Sequence, residues 1–172
     1  IKTGLGVKGM AVGDVLQGSP LGLDLGDYTS PESPEILVAG CGTGQHVVVT
    51  ASRFSNARVL ALDLSLNSLS YALRKTRELE FSNIDYAQAD IMELGALKRR
   101  FDLIECVGVL HHLDEPWAGL EILVDLLRSG GLMLIGLYSE AARQDIARGR
   151  ALIAEKGYTT APRDIRRCRQ YI

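Results

Sequence analysis

The sequence of 172 residues has few cysteines, few histidines and no long apolar run. No stretch of it approaches the roughly 20 consecutive apolar residues that a membrane-spanning helix needs, so we expect no membrane partner. The 19 basic and 21 acidic side chains give a formal net charge of −2, which argues against a nucleic-acid partner. With 47% hydrophobic residues, the composition is that of one folded globular domain rather than of a disordered chain.

Three cysteines and three histidines are too few and too widely spaced for a disulfide or metal framework. They are Cys41, Cys106 and Cys168, and His46, His111 and His112. No pair of cysteines has the C-x-x-C spacing of a zinc site, and the histidines form no H-E-x-x-H motif. We therefore expect no metal site, and the odd number of cysteines favours a reducing, cytoplasmic location.

The first 34 residues are rich in glycine, which disfavours long regular elements. We interpret residues 1–34 as a glycine-rich lead-in with one short helix around Met10–Leu16. The sequence does not begin with methionine, so we expect it to be part of a longer chain.

The carboxyl-terminal segment is basic. Residues 143–172 carry eight basic and three acidic side chains, a net charge of +5, which leaves −7 in residues 1–142. The apolar spacing predicts a helix over about Ala141–Lys156 and a second one starting at Pro162. We interpret residues 141–172 as a basic helical tail, whose charges form either a solvated helix face or a patch for an acidic substrate or partner.

Between these two segments, five apolar runs alternate with helical patterns. The runs are Glu35–Ala39, Arg58–Asp63, Ile84–Ala89, Phe101–Val107 and Gly131–Tyr138. All but the third are almost continuously apolar, which is typical of strands buried on both faces of a parallel sheet. The alternation over residues 35–140 predicts an α/β fold, with a doubly wound, mainly parallel Rossmann-like sheet and helices on both faces.

The helical pattern before the fifth run has apolar residues at spacings of three and four. These residues are Trp117, Leu120, Val124 and Leu127. The spacing predicts that they share the buried face of one helix. The Ser129–Gly131 segment, Ser-Gly-Gly, predicts the end of that helix.

The strongest motif is a glycine turn after the first run. Gly40, Gly42 and Gly44 stand between a predicted strand and a predicted helix. Glycine is needed where the backbone turns tightly and approaches a ligand, and the helix N-terminus beside such a turn offers free N–H groups. The turn predicts a nucleotide site of some kind, with a turn used only for packing as the alternative. Gln45 stands where the dinucleotide motif G-x-G-x-x-G requires glycine, which weakens an NAD-binding interpretation.

Two carboxylates close neighbouring strands at the same edge of the predicted sheet. Asp63 ends the second run, and Asp90 follows the third. Ligands of open α/β sheets bind outside this edge. Asp63 is therefore a candidate acceptor for ribose hydroxyls, and Asp90 for an adenine amino group, with the backbone of Ile91 beside it. The alternative is that each acid caps the helix that follows it.

The fourth run continues into the segment Glu105–Pro116, which reads E-C-V-G-V-L-H-H-L-D-E-P. Together with the glycine turn, Asp63 and the Ala89-Asp90 pair, it resembles the class I S-adenosylmethionine-dependent methyltransferases over residues 35–140. The His-His run is most similar to small-molecule methyltransferases of the ubiquinone-biosynthesis type. The stretch Ile36–Arg169 also resembles methyltransferase domains attached to tetratricopeptide repeats.

The resemblance implies the sheet order 3-2-1-4-5 and S-adenosyl-L-methionine as cofactor, with S-adenosylhomocysteine as product. The implied cofactor-binding residues are Ala39, Gly40, Cys41, Gly42, Gly44, Asp63, Leu64, Asp90, Ile91, Cys106 and Val107. Leu64 would lie against the adenine, and Cys106 and Val107 beside the sulfonium and the methionyl tail. His111 would stand near the cofactor mouth as a general base, with His112 turned away.

The sequence departs from the family pattern at three places. Val38 stands two residues before the turn, where the family usually has an acid, so one polar contact near the methionine end is absent. The fourth strand lacks the motif of enzymes that methylate exocyclic amines of nucleobases or glutamine amides. The pattern shows no terminal β6/β7 hairpin, so we expect the fifth strand to be an apolar edge that residues 140–172 cover or that pairs in a homodimer.

The resemblance implies methyl transfer from S-adenosylmethionine to an unidentified acceptor, and it favours a small molecule. A non-catalytic S-adenosylmethionine-binding or remnant domain is an alternative, which Val38 and the missing hairpin favour. An NAD-binding Rossmann enzyme is a second alternative, which the glycine turn and Asp63 permit.

Overall fold

In a computed structural model of the protein, the described residues are 29, 31–139 and 141–171. The expected helix around Met10–Leu16 and most of the lead-in lie outside them. The chain divides into two compact units between Leu137 and Tyr138. The domain boundaries expected from the sequence, near residues 34 and 140, stay predictions.

Within the described residues, five parallel strands form one sheet in the order β3-β2-β1-β4-β5. The strands are β1 (Glu35–Ala39), β2 (Arg58–Asp63), β3 (Ile84–Gln88), β4 (Phe101–Val107) and β5 (Leu127–Gly136). The order and the parallel direction confirm the predicted doubly wound, Rossmann-like sheet. Over the same residues, β5 pairs with β4 alone and no sixth strand follows it.

Helices cover both faces of this sheet. They are α1 (Gln45–Arg53), α2 (Leu66–Glu78), a 3₁₀ helix (Ile91–Ala96) and α3 (Pro116–Asp125). Residues of α1 and α2 pack on one face of the sheet, and residues of the 3₁₀ helix and α3 on the other. Successive residues of β4 belong to different faces, since Leu103 packs with α1 and Ile104 with α3. No helix among the described residues is long and apolar enough to cross a membrane.

The parallel direction brings the carboxyl ends of the central strands to one edge of the sheet. β1, β2 and β4 end there at Ala39, Asp63 and Val107. Their interiors are buried and, apart from Asp102 and Glu105 of β4, apolar on both faces, as suits strands covered by helices on both sides. The segments that follow these three strands are therefore where accessible backbone and polar side chains meet.

The fifth strand begins earlier than the sequence pattern predicted. β5 starts at Leu127 and ends at Gly136, and the Ser129–Gly131 segment lies inside it instead of ending a helix. Phe101 of β4 pairs with Leu127 of β5, whereas Leu103, two residues later, pairs with Leu132. The extra residues of β5 between these two pairs form a bulge. Gly130, within the bulge, has a φ of +76°, a left-handed conformation that glycine adopts without strain.

The buried face of α3 also differs from the prediction. Trp117 is 77% exposed and Val124 is 52% exposed, whereas Leu123 is fully buried. The reason is a close approach at Gly119, where an added Cβ would lie 2.4 Å from Leu113. The helix packs along the line of Gly119 and Leu123, since only the small residue allows this contact. Leu120 of the predicted face also packs against the core, whereas Trp117 and Val124 face outward.

The second unit contains two α-helices within its described residues, α4 (Gln144–Glu155) and α5 (Pro162–Cys168). Both lie where the sequence predicted helices. Gly157 follows α4 with a φ of +63°, the conformation that ends many helices. None of the described residues of this unit is buried, as both interpretations of its basic residues require, so the choice between a solvated face and a binding patch stays open.

Replacing Leu123 by alanine should lower the free energy of unfolding by about 2–5 kcal/mol, because the change leaves a cavity in the core. The matched control is Val124→Ala at the next position of α3, which should cost about 0.5 kcal/mol or less because that side chain is already half exposed. Urea unfolding followed by circular dichroism measures both. Equal losses would mean that Val124 faces the core.

Candidate functional site

The glycine turn of Gly40, Gly42 and Gly44 carries the chain out of β1 with φ angles of +79°, +53° and +87°. A Cβ on Gly40 would lie 2.2 Å from Val109, and one on Gly44 would lie 2.7 Å from Ala72. A Cβ on Gly42 would meet nothing within 4 Å. Packing therefore requires two of the glycines, whereas Gly42 borders open space.

The carboxylate of Asp63 holds this turn in place. Its Oδ2 accepts a hydrogen bond from the Gly42 N–H at 2.7 Å, and its Oδ1 accepts one from the Ser65 N–H at 2.8 Å. The N-cap of α2 is Ser65, whose Oγ accepts from the Ser68 N–H at 3.2 Å. Asp63 is therefore not the N-cap of α2, as the alternative interpretation proposed. It instead accepts a hydrogen bond from the N-cap residue, Ser65.

Two cavities open at this edge of the sheet and share Gly40. The turn cavity, of about 470 Å³, is lined by Val38, Gly40, Cys41, Gly42, Thr43, Gln45, His46, Val49 and Val107. The Asp63 cavity, of about 150 Å³, is lined by Gly40, Leu62, Asp63, Leu64, Ala89, Asp90, Ile91, Gly108, Val109, His112 and Leu113. The structure therefore brings most of the residues that sequence reasoning named to the walls of two adjoining cavities.

The acid and apolar residues expected near a nucleoside lie together in the Asp63 cavity. Asp90 caps the 3₁₀ helix, since its Oδ1 accepts a hydrogen bond from the Met92 N–H at 2.9 Å. The same residue lines the cavity, so the capping role and the position expected for a ligand contact coincide. Leu64 is 60% exposed there, whereas Ile91 is buried.

The four remaining residues of the predicted set divide between core and cavity. Ala39 and Cys106 are fully buried in the core on the α3 face. Cys41 and Val107 line the turn cavity. Burial raises the pKa of Cys106 to about 11, and burial with the Asp63 charge raises the pKa of Cys41 to about 12. Both thiols are therefore protonated near neutral pH, so neither is an activated nucleophile.

The two adjacent histidines take different places from those expected. Both lie in a short 3₁₀ helix, Leu110–His112, with their ring centroids 4.1 Å apart. His112, which was expected to turn away, lines the Asp63 cavity, and His111 lines neither cavity. The role of His111 as a general base stays a prediction.

Sequence reasoning missed a polar cluster beside the turn cavity. Glu105, 6% exposed in β4, accepts a hydrogen bond from Thr50 Oγ1 at 2.5 Å. His46 Nε2 lies 3.1 Å from the same carboxylate oxygen, Oε2. The interaction with Glu105 raises the pKa of His46, against smaller opposing effects of burial and of Arg53. The signal that could have found the cluster is Glu105 itself, a charged residue in the middle of a largely apolar strand.

A family model described as a methyltransferase domain matches residues 36–131, more than half of the chain. The matched range contains all five strands except Glu35 of β1 and the end of β5, together with both cavities. The chain belongs to the class I S-adenosylmethionine-dependent methyltransferases. The family predicted from the glycine turn, the two acids and the His-His run is confirmed.

Relatives of this methyltransferase include enzymes with named acceptors. It is 33% identical over 126 residues to trans-aconitate 2-methyltransferase of Deinococcus radiodurans, covering 72% of this chain and 45% of that protein. It is 28% identical over 116 residues to malonyl-[acyl-carrier protein] O-methyltransferase of Acetivibrio thermocellus, covering 67% of this chain and 40% of that protein. The chain thus spans less than half the length of these relatives.

Solved methyltransferase structures have the same fold. PKMT2 from Rickettsia typhi in complex with AdoHcy superposes with a TM-score of 0.63 at 22% identity, covering 72% of this chain and 24% of that one. An S-adenosylmethionine-dependent methyltransferase from Clostridium acetobutylicum superposes with a TM-score of 0.53 at 28% identity, covering 59% of this chain and 41% of that one.

The raised pKa of His46 predicts a pH-dependent contribution to folding. A histidine whose pKa rises on folding adds stability below its unfolded pKa of about 6.5, and this contribution is lost as the pH rises through the folded value. His46→Gln should therefore destabilise the methyltransferase more at about pH 5.5 than at about pH 9. Chemical unfolding at the two pH values measures the difference.

Glu105→Gln supplies the control for this pH dependence. In a Glu105→Gln background, His46→Gln should no longer cost more at about pH 5.5 than at about pH 9, because the carboxylate that raises the histidine pKa is gone while burial and Arg53, which lower it, remain. A larger cost at low pH that persists in that background would belong to another group.

Proposed function

We propose that this methyltransferase binds S-adenosylmethionine across Gly40 and transfers its methyl group to a small-molecule acceptor. The nucleoside would occupy the Asp63 cavity, and the amino-acid end would occupy the turn cavity. The observation that carries the proposal is that two cavities of different character meet at Gly40. S-adenosylmethionine likewise joins a nucleoside to an amino acid.

The Asp63 cavity fits a nucleoside by its hydrogen-bonding capacity. Each oxygen of Asp63 receives one backbone N–H, which leaves lone pairs for the two ribose hydroxyls. The exposed side chain of Leu64 supplies an apolar surface for the adenine ring. The carboxylate of Asp90 and the backbone of Ile91 stand on the same wall, where they would contact the adenine edge.

The glycine turn can accommodate the amino-acid end of the cofactor because Gly42 has no side chain and borders open space. Open space in front of Gly42 allows a ligand to approach the backbone closely. Gln45, the first residue of α1, lines the same cavity together with Thr43 of the glycine turn, so backbone N–H groups of the first helical turn are available to polar atoms of the ligand. Val107 lines the turn cavity and Gly108 the Asp63 cavity, so the end of β4 lies where the two ligand halves would join.

Bound S-adenosylmethionine supplies an activated methyl group on its sulfonium. The residues of this chain must then hold the acceptor in line with that methyl group and exclude water, and such positioning supplies most of the rate enhancement. His111 would take a proton from the acceptor where one has to leave, from its place in the 3₁₀ helix after β4.

A small acceptor agrees with the name of the trans-aconitate relative. The NAD-binding alternative is disfavoured by two features. Gln45, the first residue of α1, occupies the position of the third glycine of a dinucleotide motif. Glu105 places a buried negative charge behind the turn cavity, where a pyrophosphate would lie.

We also propose a cytoplasmic location and a homodimer through β5. Cys41, Cys106 and Cys168 are free thiols, as a reducing compartment keeps them. Leu134 and Ile135 of β5 are 36% and 37% exposed, and an unpaired apolar edge favours pairing with another strand. Light scattering should give twice the monomer mass, and a monomer at all concentrations would remove the homodimer.

Asp63→Asn should weaken the binding of S-adenosylhomocysteine about 5- to 150-fold, the range of about 1–3 kcal/mol for a lost charged hydrogen bond. Asparagine keeps one acceptor oxygen for the glycine turn but loses the charge. The matched control is Asp85→Asn, the same change at an exposed acid of β3, which should leave the affinity unchanged. Isothermal titration calorimetry measures both, with thermal melts to confirm folding.

Two outcomes would contradict this assignment. Binding of NAD without binding of S-adenosylhomocysteine would make the nucleotide site that of a different enzyme class. Binding of S-adenosylmethionine without transfer of its labelled methyl group to any of a panel of small acids, alcohols and amines would favour a non-catalytic binding domain.

A further inference from the structure

Glu105 is a buried acid in apolar surroundings. It lies on the α1 side of β4, opposite Val38 of β1 in the strand register, and is 6% exposed. The core on this side of the sheet is made of residues such as Val38, Val47 and Leu103. A carboxylate in such a place costs several kcal/mol unless hydrogen bonds and an opposite charge compensate for its desolvation.

Two residues one turn apart on α1 provide that compensation. Thr50 donates a hydrogen bond to Glu105 at 2.5 Å, and His46 Nε2 lies 3.1 Å from the carboxylate. Among the described residues, no lysine or arginine forms an ion pair with Glu105. The interaction with Glu105 raises the pKa of His46, so the carboxylate favours a positive charge on the imidazole beside it.

Asp102, the other buried acid of β4, shows what a purely structural carboxylate looks like in this fold. It accepts hydrogen bonds from the Glu35 N–H at 2.8 Å and from Arg128 at 2.6 Å, at the end of the sheet remote from the glycine turn. Both partners, the Glu35 N–H and Arg128, stabilise the folded structure, and neither lines the turn cavity. The imidazole beside Glu105 differs, because His46 lines the turn cavity and its side chain is 38% exposed.

One wall of the turn cavity is therefore formed by an imidazole with a carboxylate beside it. His46 faces the cavity, and Glu105 lies directly behind it. A carboxylate and a protonated imidazole together complement a zwitterion, which also carries both signs in adjacent groups. An anion such as a phosphate would meet the negative charge of Glu105 in a region where water screens it poorly.

We propose that Glu105 and His46 anchor the amino-acid end of S-adenosylmethionine, an inference that rests on the proposed function. His46 contacts the α-carboxylate, and Glu105 orients His46 and attracts the α-ammonium group. The carboxylate on β4 then supplies the negative charge that the neighbouring Val38 on β1 lacks.

Binding of two ligands to Glu105→Gln tests the proposal. S-adenosylhomocysteine carries the amino-acid end, and 5′-methylthioadenosine has the same nucleoside without it. By calorimetry, Glu105→Gln should bind S-adenosylhomocysteine about tenfold or more weakly, the scale of one charged interaction, while its affinity for methylthioadenosine stays within about twofold. The matched control is Asp102→Asn, a buried acid of the same strand, which should change neither affinity.

His46→Gln provides a second variant if Glu105→Gln does not fold, because the histidine is partly exposed. It should show the same selective loss of S-adenosylhomocysteine binding. Equal losses for the two ligands, or no loss for either, would overturn the anchor and leave the pair a structural role. A wild-type protein that binds neither ligand would overturn the proposed function itself.

Discussion

The carboxylate of Asp63 joins the glycine turn to the beginning of α2. Its bonds to the Gly42 and Ser65 N–H groups are 2.7 and 2.8 Å long, and hydrogen bonds to a charged group contribute about 1.5–3 kcal/mol each. The turn after β1 and the helix after β2 therefore depend on one side chain. Because the ribose is proposed to bind the same carboxylate, local folding and cofactor binding are coupled at this point.

β4 shows how one strand serves both the core and the candidate site. Its alternating side chains place Ile104 and Cys106 in the core on the α3 face, and Glu105 on the α1 face beside the turn cavity. Val107 then lines that cavity at the end of the strand. Since neighbouring residues of a strand point to opposite faces, a shift of one residue in register would bury the valine and move the acid away from α1.

Much of the fold could be predicted because its signals are local. The bounds of β1, β2 and β4 follow from apolar runs, and the positions of Gly40 and Asp63 follow from what turns and strand ends require. The bulge of β5 and the buried face of α3 could not be predicted in this way. Both involve close approaches to other segments, of Gly131 to Asp102 and of Gly119 to Leu113.

By itself, the sequence determined the strand order, through its resemblance to a family, and the acids and glycines at one edge of the sheet. Only the tertiary structure decided which polar groups meet there. Thr50 and Glu105 are 55 positions apart, and no periodicity connects them. They meet with His46 because α1 packs against β4. Since that contact is buried, the charge of the Glu105 carboxylate and the charge of the His46 imidazole depend on each other.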